Sequence, residues 1–404
     1  MENKTIKILL AVVVFFEVVC ASEVDLVSER YILYNMNDNS ILLQKGSHDE
    51  VSIASLTKIM TVIVAIENIS DYNDKITIKK SMIEDIDWDV AVTGFKVGEK
   101  VSYDDLLYAA ILSSGADAVN ALAESISGSR NEFVNLMNQK VNELGLKNTH
   151  FQNAIGLYSK SNYSSAYDMA QILTYALKNK KFKTIFETNN YKLSNGKKIK
   201  STIEKYNQNN NLNISFITGS KTGYISKAGF CLASTATLNN VNYLLITLNA
   251  FSNESSIHIK DHIKAYNYFN NNYSYKKIVD DEDIITTMKT KYAKEKNIDI
   301  KSNVSISKYL KNDFDKSKIE YIYNGKDEVS YFTHQGTKLG NVKVNYNGET
   351  LDEFDLIYHG KLTFSILAFL WINKLWILFS LLFIFLLIYT KNDKKKKYHK
   401  HKHS

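Results

Sequence analysis

SLTKIMTVIVAIEN, residues 55–68, decides how the rest of this chain is read. At helical spacing it is apolar on nearly every side, and a helix with no polar face belongs at the centre of a core. Two polar groups stand at its start, Ser55 and Lys58, three residues apart and so on one helical face. That spacing brings the amine within reach of the hydroxyl. Leu56, Ile59, Met60, Val62 and Ile63 surround Lys58 and desolvate its ammonium. The positive end of the helix disfavours the charge further, and both effects lower the pKa. A lysine that is neutral near physiological pH is a general base, and a serine beside it is a nucleophile. The helix start also offers the Ser55 amide N–H to an oxyanion.

The same SxxK spacing recurs at Ser194/Lys197, Ser274/Lys277 and Ser305/Lys308. Those lysines lie in polar surroundings where water keeps them charged and inert, so only the apolar helix makes the pair chemical. Two further elements are suited to the same site. Ser114, in SSGADA, sits between two helical runs, where a loop presents its hydroxyl; the bland reading is a helix-capping loop. Lys221, Thr222 and Gly223, in GSKTGY, begin a strand, and a fixed cation, a hydroxyl and an open backbone suit a substrate carboxylate. Their bland reading is a solvated edge strand.

The surrounding organisation is that of an α/β sandwich. Residues 31–43, YILYNMNDNSILL, read as a hairpin around an Asn/Asp turn. Helical stretches are expected at 103–113, 117–127, 130–144 and 166–178. Strands are expected at 216–218, 229–238 and 243–251, the last two joined through Asn239 and Asn240. Strands at both ends with helices between them predict one antiparallel sheet flanked by helices. From about residue 274 the texture changes to short alternating runs such as KIEYIYNG and NVKVNYNG, a small all-β domain over 274–361 with no catalytic constellation.

Both termini speak of membranes. Lys4 and Lys7 precede an apolar stretch over 8–21, interrupted by Glu17 and ending in the small Ala21 and Ser22, the layout of a signal peptide over 1–21. Cys20 follows Val19, whereas a lipid-acceptor cysteine normally follows a small residue. A membrane anchor is expected over 362–390, with a transmembrane helix at about 371–390. Twenty residues at about 1.5 Å each span about 30 Å, one bilayer core. Trp371, Trp376 and Tyr389 suit the interfaces, and Lys374 snorkels. The basic tail over 391–404 holds seven of the chain's 50 Lys and Arg and sets the orientation: tail in the cytoplasm, everything from about residue 22 to 361 outside. Without that tail the net charge of +7 largely disappears, which argues against nucleic acid as a partner. Two cysteines make no disulfide framework, and Cys231, in an apolar run, reads as a buried filler.

SxxK, a serine loop and KTG in this order resemble the penicillin-recognising serine peptidases. Among these the chain is most similar to the low-molecular-mass D-alanyl-D-alanine carboxypeptidases, peptidase family S11. The resemblance runs over residues 31–273, through IASLTKIMT, SGADA, NTHFQNAIGL, YDMA and SKTGYISKAGFCLAST, and extends to the β-rich domain and anchor. It implies a DD-peptidase/β-lactamase-like fold with a catalytic domain over 22–273 that acts on peptidoglycan stem peptides and is acylated by β-lactams; no cofactor is expected, and histidines that are scattered or lie in the tail HKHKH argue against a metal site. By position it implies that Ser55 attacks the penultimate D-Ala carbonyl, Lys58 takes its proton and Ser114 relays a proton to the departing D-Ala. Lys221 and Thr222 would hold the terminal carboxylate beside Gly223, and the N–H groups of Ser55 and Tyr224 would hold the oxyanion.

Two departures stand out. Ala116 occupies the place of the second motif's usual Asn, and His258 stands where the family often has an Arg. Two rival readings follow. A β-lactamase would need a glutamate-activated water, and the nearest match to ExxLN, ELGLKN from Glu143, is one residue out of register. A catalytically silent peptidoglycan-binding or assembly protein would take its support from Ala116.

Overall fold

A computed structural model describes residues 24–400, so the leader expected over 1–21 lies outside the described residues. The chain forms two compact units that divide at Asn271 and Asn272.

The first unit opens with the hairpin β1 (Arg30–Asn35) and β2 (Ser40–Lys45), then α1 (Thr57–Asn68). A short hairpin, β3 (Lys75–Thr77) and β4 (Lys100–Ser102), leads into α2 (Tyr103–Leu112), α3 (Ala116–Ser127) and α4 (Arg130–Glu143). After α5 (Ala166–Leu177) and α6 (Lys180–Phe186) come a second short hairpin, β5 (Asn190–Lys192) and β6 (Lys198–Lys200), and α7 (Thr202–Asn210). Three long strands, β7 (Ile217–Ile225), β8 (Gly229–Leu238) and β9 (Val241–Ala250), precede α8 (Ile257–Asn272).

Five strands make one antiparallel sheet in the order β2-β1-β9-β8-β7. The two chain ends of the unit therefore share the sheet, with β1 against β9, and β7 is left at an edge. Asn239 and Asn240, both with positive φ, turn β8 into β9, the two-residue hairpin for which asparagine is suited. Alternation along the strands divides the sheet's faces. Ile32, Cys231, Ala233, Leu244, Ile246 and Leu248 face the main core. On the opposite face Ser234 and Thr247 carry α8: Ser234 Oγ lies 2.7 Å from His262 Nδ1 and 2.9 Å from the Tyr266 hydroxyl, and Thr247 Oγ1 lies 3.0 Å from His262 Nε2. Asp261 of α8 in turn accepts the amides of Val27 and Ser28 and the Ser28 hydroxyl.

α1 runs through the middle of the main core, and every residue from Thr57 to Ile66 is buried. The helix expected to begin at Ser55 begins instead at Thr57, after a 3-10 turn over Ala54–Leu56. The remaining expected helices fall within about one residue of α2 to α5. The strand expected at 216–218 and the one expected to begin at Lys221 are a single strand, β7. α7 was not anticipated because TIEKYNQNN has almost no apolar stripe; only Ile203 is buried.

The second unit holds β10 (Tyr273–Val279), β11 (Ile284–Lys291), β12 (Asn297–Lys301), β13 (Ile306–Lys311), β14 (Ile319–Gly325), β15 (Glu328–Ser330), β16 (Lys338–Tyr346) and β17 (Glu349–Ile357). They form small sheets around Ile278, Met288, Val342, Val344 and Leu356. Two helices follow, α9 (Ile366–Ile372) and α10 (Lys374–Lys400), broken at Asn373. Within α10, Lys374–Asn392 is long and apolar enough to cross a membrane, and none of it is buried.

Since α1 carries the core, truncating Ile63, which is 1% exposed, to alanine removes buried methylenes and leaves a cavity. Ile63→Ala should cost about 2–5 kcal/mol and lower the midpoint of the first unit's thermal transition. An unchanged midpoint would mean that the helix is not the core element described.

Candidate active site

Ser55 sits in the turn before α1, and its neighbour Ala54 is held at φ +47°, a conformation costly for a side chain with Cβ. Two glycines explain how the turn stays there. A Cβ on Gly156, itself at φ +85°, would lie 2.1 Å from the Ala54 carbonyl oxygen, and one on Gly223 would lie 3.0 Å from the Ser55 amide nitrogen. The backbone of β7 therefore passes directly beside the Ser55 N–H.

One turn on, Lys58 Nζ donates to Ser55 Oγ at 2.9 Å and to the Ile155 carbonyl at 2.6 Å. The side chain is 1% exposed and makes no ion pair among the described residues. Burial pulls its pKa down to about 7, with the charge of Asp117 acting in the opposite sense. The amine is thus near half-neutral at physiological pH. Asn153 positions the Ile155 carbonyl, because its Oδ1 accepts the amides of Gly156 at 2.8 Å and Leu157 at 3.0 Å and so fixes the turn. Asn153 was missed, as an asparagine in a loop carries no signal of the carbonyl it aims.

Ser114 lies between α2 and α3 at φ +57° and is nearly buried. Its Oγ accepts from Lys221 Nζ at 3.0 Å, and the same ammonium donates to the Thr222 carbonyl at 2.7 Å. Lys221 is 0% exposed, far from the solvated edge lysine of the bland reading. Burial, then the charges of Lys58 and Lys205, hold its pKa well below that of an ordinary lysine. The Thr222 hydroxyl donates to Thr202 Oγ1 of α7 at 2.6 Å. Tyr224 is 55% exposed, its ring 4.5 Å from that of Phe230.

At the start of α3, Ala116 is fully buried and contributes only a methyl group. The next residue, Asp117, accepts the amides of Thr93, Gly94, Phe95 and Ala118 at 2.7–3.1 Å. It clamps the preceding loop onto the helix that follows Ser114. An acidic residue in a first helical turn was its one signal in the sequence.

The other SxxK pairs have different partners. Ser194 donates to Asp105, while Lys197 reaches the Thr93 carbonyl. Lys277 pairs with Asp280 and Lys308 with Asp352. Glu143 is exposed and pairs with Lys140. Cys231 is buried with its thiol pKa pushed up to about 12 by burial, in keeping with a filler. His258 is fully buried between the rings of Phe230 and Tyr206, each 5.1 Å away, and neither ring nitrogen has a partner among the described residues. Burial drives its pKa down to about 3.

A side chain at position 156 would drive the Ser55 turn away from β7. Gly156→Ala should slow covalent acylation of the protein by a penicillin by about 10²-fold or more. Acylation at the original rate would show that the turn tolerates the intrusion.

The sequence pattern of the D-alanyl-D-alanine carboxypeptidases, peptidase family S11, matches residues 17–252. D-alanyl-D-alanine carboxypeptidase DacF of Bacillus subtilis is 31% identical over 335 residues, covering 80% of this chain and 82% of that protein. DacA of Escherichia coli is 34% identical over 227 residues, but the match spans only 53% of its length. Among solved structures, the Streptomyces K15 DD-transpeptidase is 28% identical with a TM-score of 0.55, covering 60% of this chain and 97% of that one. Penicillin binding protein 5 of Haemophilus influenzae, 23% identical with a TM-score of 0.62, covers 84% of this chain and 98% of its own and shares the fold.

Proposed function

Given that this chain belongs to the D-alanyl-D-alanine carboxypeptidase family and is a serine-type carboxypeptidase, we propose that Ser55 is its nucleophile and Lys58 its general base. The observation that carries the assignment is the buried amine 2.9 Å from the Ser55 hydroxyl, with no ion-pair partner among the described residues and a pKa near 7.

The neutral Lys58 amine takes the Ser55 proton as Oγ attacks the penultimate D-Ala carbonyl of a peptidoglycan stem peptide. The oxyanion lies between the N–H groups of Ser55 and Tyr224, a reading supported by the close passage of Gly223 against the Ser55 amide. As the C–N bond breaks, the proton reaches the departing amine through Ser114, and the terminal D-Ala leaves. Water then attacks the ester, giving a proton to Lys58, and Ser55 Oγ leaves as the hydroxyl. Lys221 and Thr222 face the substrate's terminal carboxylate. β-Lactams follow the first half of this path and stop at the Ser55 ester.

We also read α10 as a membrane anchor with the peptidase unit outside and the tail in the cytoplasm. The reading is supported by exposed apolar residues throughout Leu375 to Tyr389, by Lys374 lying 4.2 Å over the Trp371 ring, and by the lysines after Thr390.

Ser55→Ala should abolish covalent labelling by a fluorescent penicillin while leaving the fold intact; persistent labelling would refute the assignment. In the parent enzyme, acylation needs Lys58 unprotonated, so its rate should rise with pH through about 7 and level off above. A rate that keeps climbing toward pH 10 would point to a lysine of ordinary basicity. A cysteine placed at Ser404 should react with an impermeant maleimide only after cells are opened; labelling of intact cells would reverse the topology.

A further inference from the structure

A terminal carboxylate needs a cation, and the groups described so far are poor suppliers of one. Lys58 is engaged with Ser55 and the Ile155 carbonyl, and Lys221 with Ser114 and the Thr222 carbonyl. Both are buried and both lose basicity by burial. Burial keeps His258 neutral near pH 7, and it is held between two rings.

α7 brings another lysine to the same corner. Thr202, Lys205 and Tyr206 stand at i, i+3 and i+4, so they share one helical face. Two contacts fix where that face points. Thr202 Oγ1 meets the Thr222 hydroxyl at 2.6 Å, and the Tyr206 ring meets His258 edge-on. Lys205, on the same face, is exposed and has no ion-pair partner among the described residues. Its charge is nonetheless felt at the buried Lys221. Thr202 accepts the Thr222 proton and gives its own to no described residue, so a donor remains available one helical turn before Lys205.

We propose that α7 forms the outer half of the carboxylate site, with the Lys205 ammonium and the Thr202 hydroxyl gripping the substrate's terminal carboxylate opposite Lys221 and Thr222. The proposal rests on the carboxypeptidase reading above and names the groups that make that reaction selective for a free chain end. It places the selective charge on a helix that packs against the edge strand β7.

The test compares two peptides with the full-length, detergent-solubilised enzyme: one ending in D-Ala-D-Ala as the free acid, the other as the C-terminal amide. Lys205→Gln should raise KM for the acid about tenfold, change kcat less than twofold and leave the amide unaffected. Thr202→Val should act in the same direction more weakly, and Lys205→Arg should restore most of the loss. Glu204→Gln, the neighbouring position, serves as the control for helix integrity. Unchanged acid-to-amide selectivity in Lys205→Gln would overturn the proposal, as would equal losses for both peptides. The parent reading is checked separately by penicillin acylation of Ser55 in the unsubstituted enzyme, which does not depend on Lys205.

Discussion

A buried lysine amine held against a serine hydroxyl, with no counter-ion among the described residues, is the constraint on which this molecule turns. Burying an ammonium is unfavourable, and a protein normally answers with a carboxylate partner. Lys58 has a hydroxyl and a backbone carbonyl instead, and neither keeps a proton on nitrogen as an ion pair would. Burial therefore pulls the amine's pKa down to about 7, and what makes it weakly basic is the apolar core itself. Core packing and base strength are linked here: the apolar residues around the start of α1 both stabilise the unit and shield Lys58 from solvent.

The rest of the site is arranged so that this pair can be approached from one side. An antiparallel sheet that ends at β7 leaves an edge with backbone groups to offer, and the glycine at 223 lets that edge lie against the Ser55 amide. Strain accompanies the arrangement. Ala54 and Ser114, the residue before the proposed nucleophile and the proposed proton relay, both adopt positive φ, a conformation that persists only where its surroundings enforce it. Gly156 and Gly223 leave room for the first, and the Asp117 clamp steadies the helix that begins after the second. The burial that weakens Lys58 also weakens Lys221.

Much of this was legible in the sequence because it was written in local pattern. An apolar run of helical length around one lysine marked the core, and the lysines of the other SxxK pairs take partners of their own. Asn239 and Asn240 announced a hairpin, and the matching strands at the two ends of the first unit announced a shared sheet. What escaped notice was non-local or polar. Nothing in FQNAIG says that Ile155 offers its carbonyl to a lysine about a hundred residues earlier in the chain. Nothing in TIEKYNQNN separates a helix docked on the site from a polar loop, because its role lies in Thr202 and Lys205 rather than in apolar burial. The helix expected from Ser55 starts two residues later, after a 3-10 turn packed closely against the backbones of Gly156 and β7. His258 was noticed as a substitution, but its burial between Phe230 and Tyr206 emerges only when α7, β8 and α8 meet.

Direct titration of the Lys58 amine tests the account most closely. With lysine labelled at Cε with carbon-13, and the Lys58 resonance assigned by its loss in Lys58→Met, the chemical shift should report a midpoint near pH 7 in the folded protein. A midpoint close to 10.5, the ordinary lysine value, would mean that the amine stays charged beside Ser55 and that the proposed base cannot act.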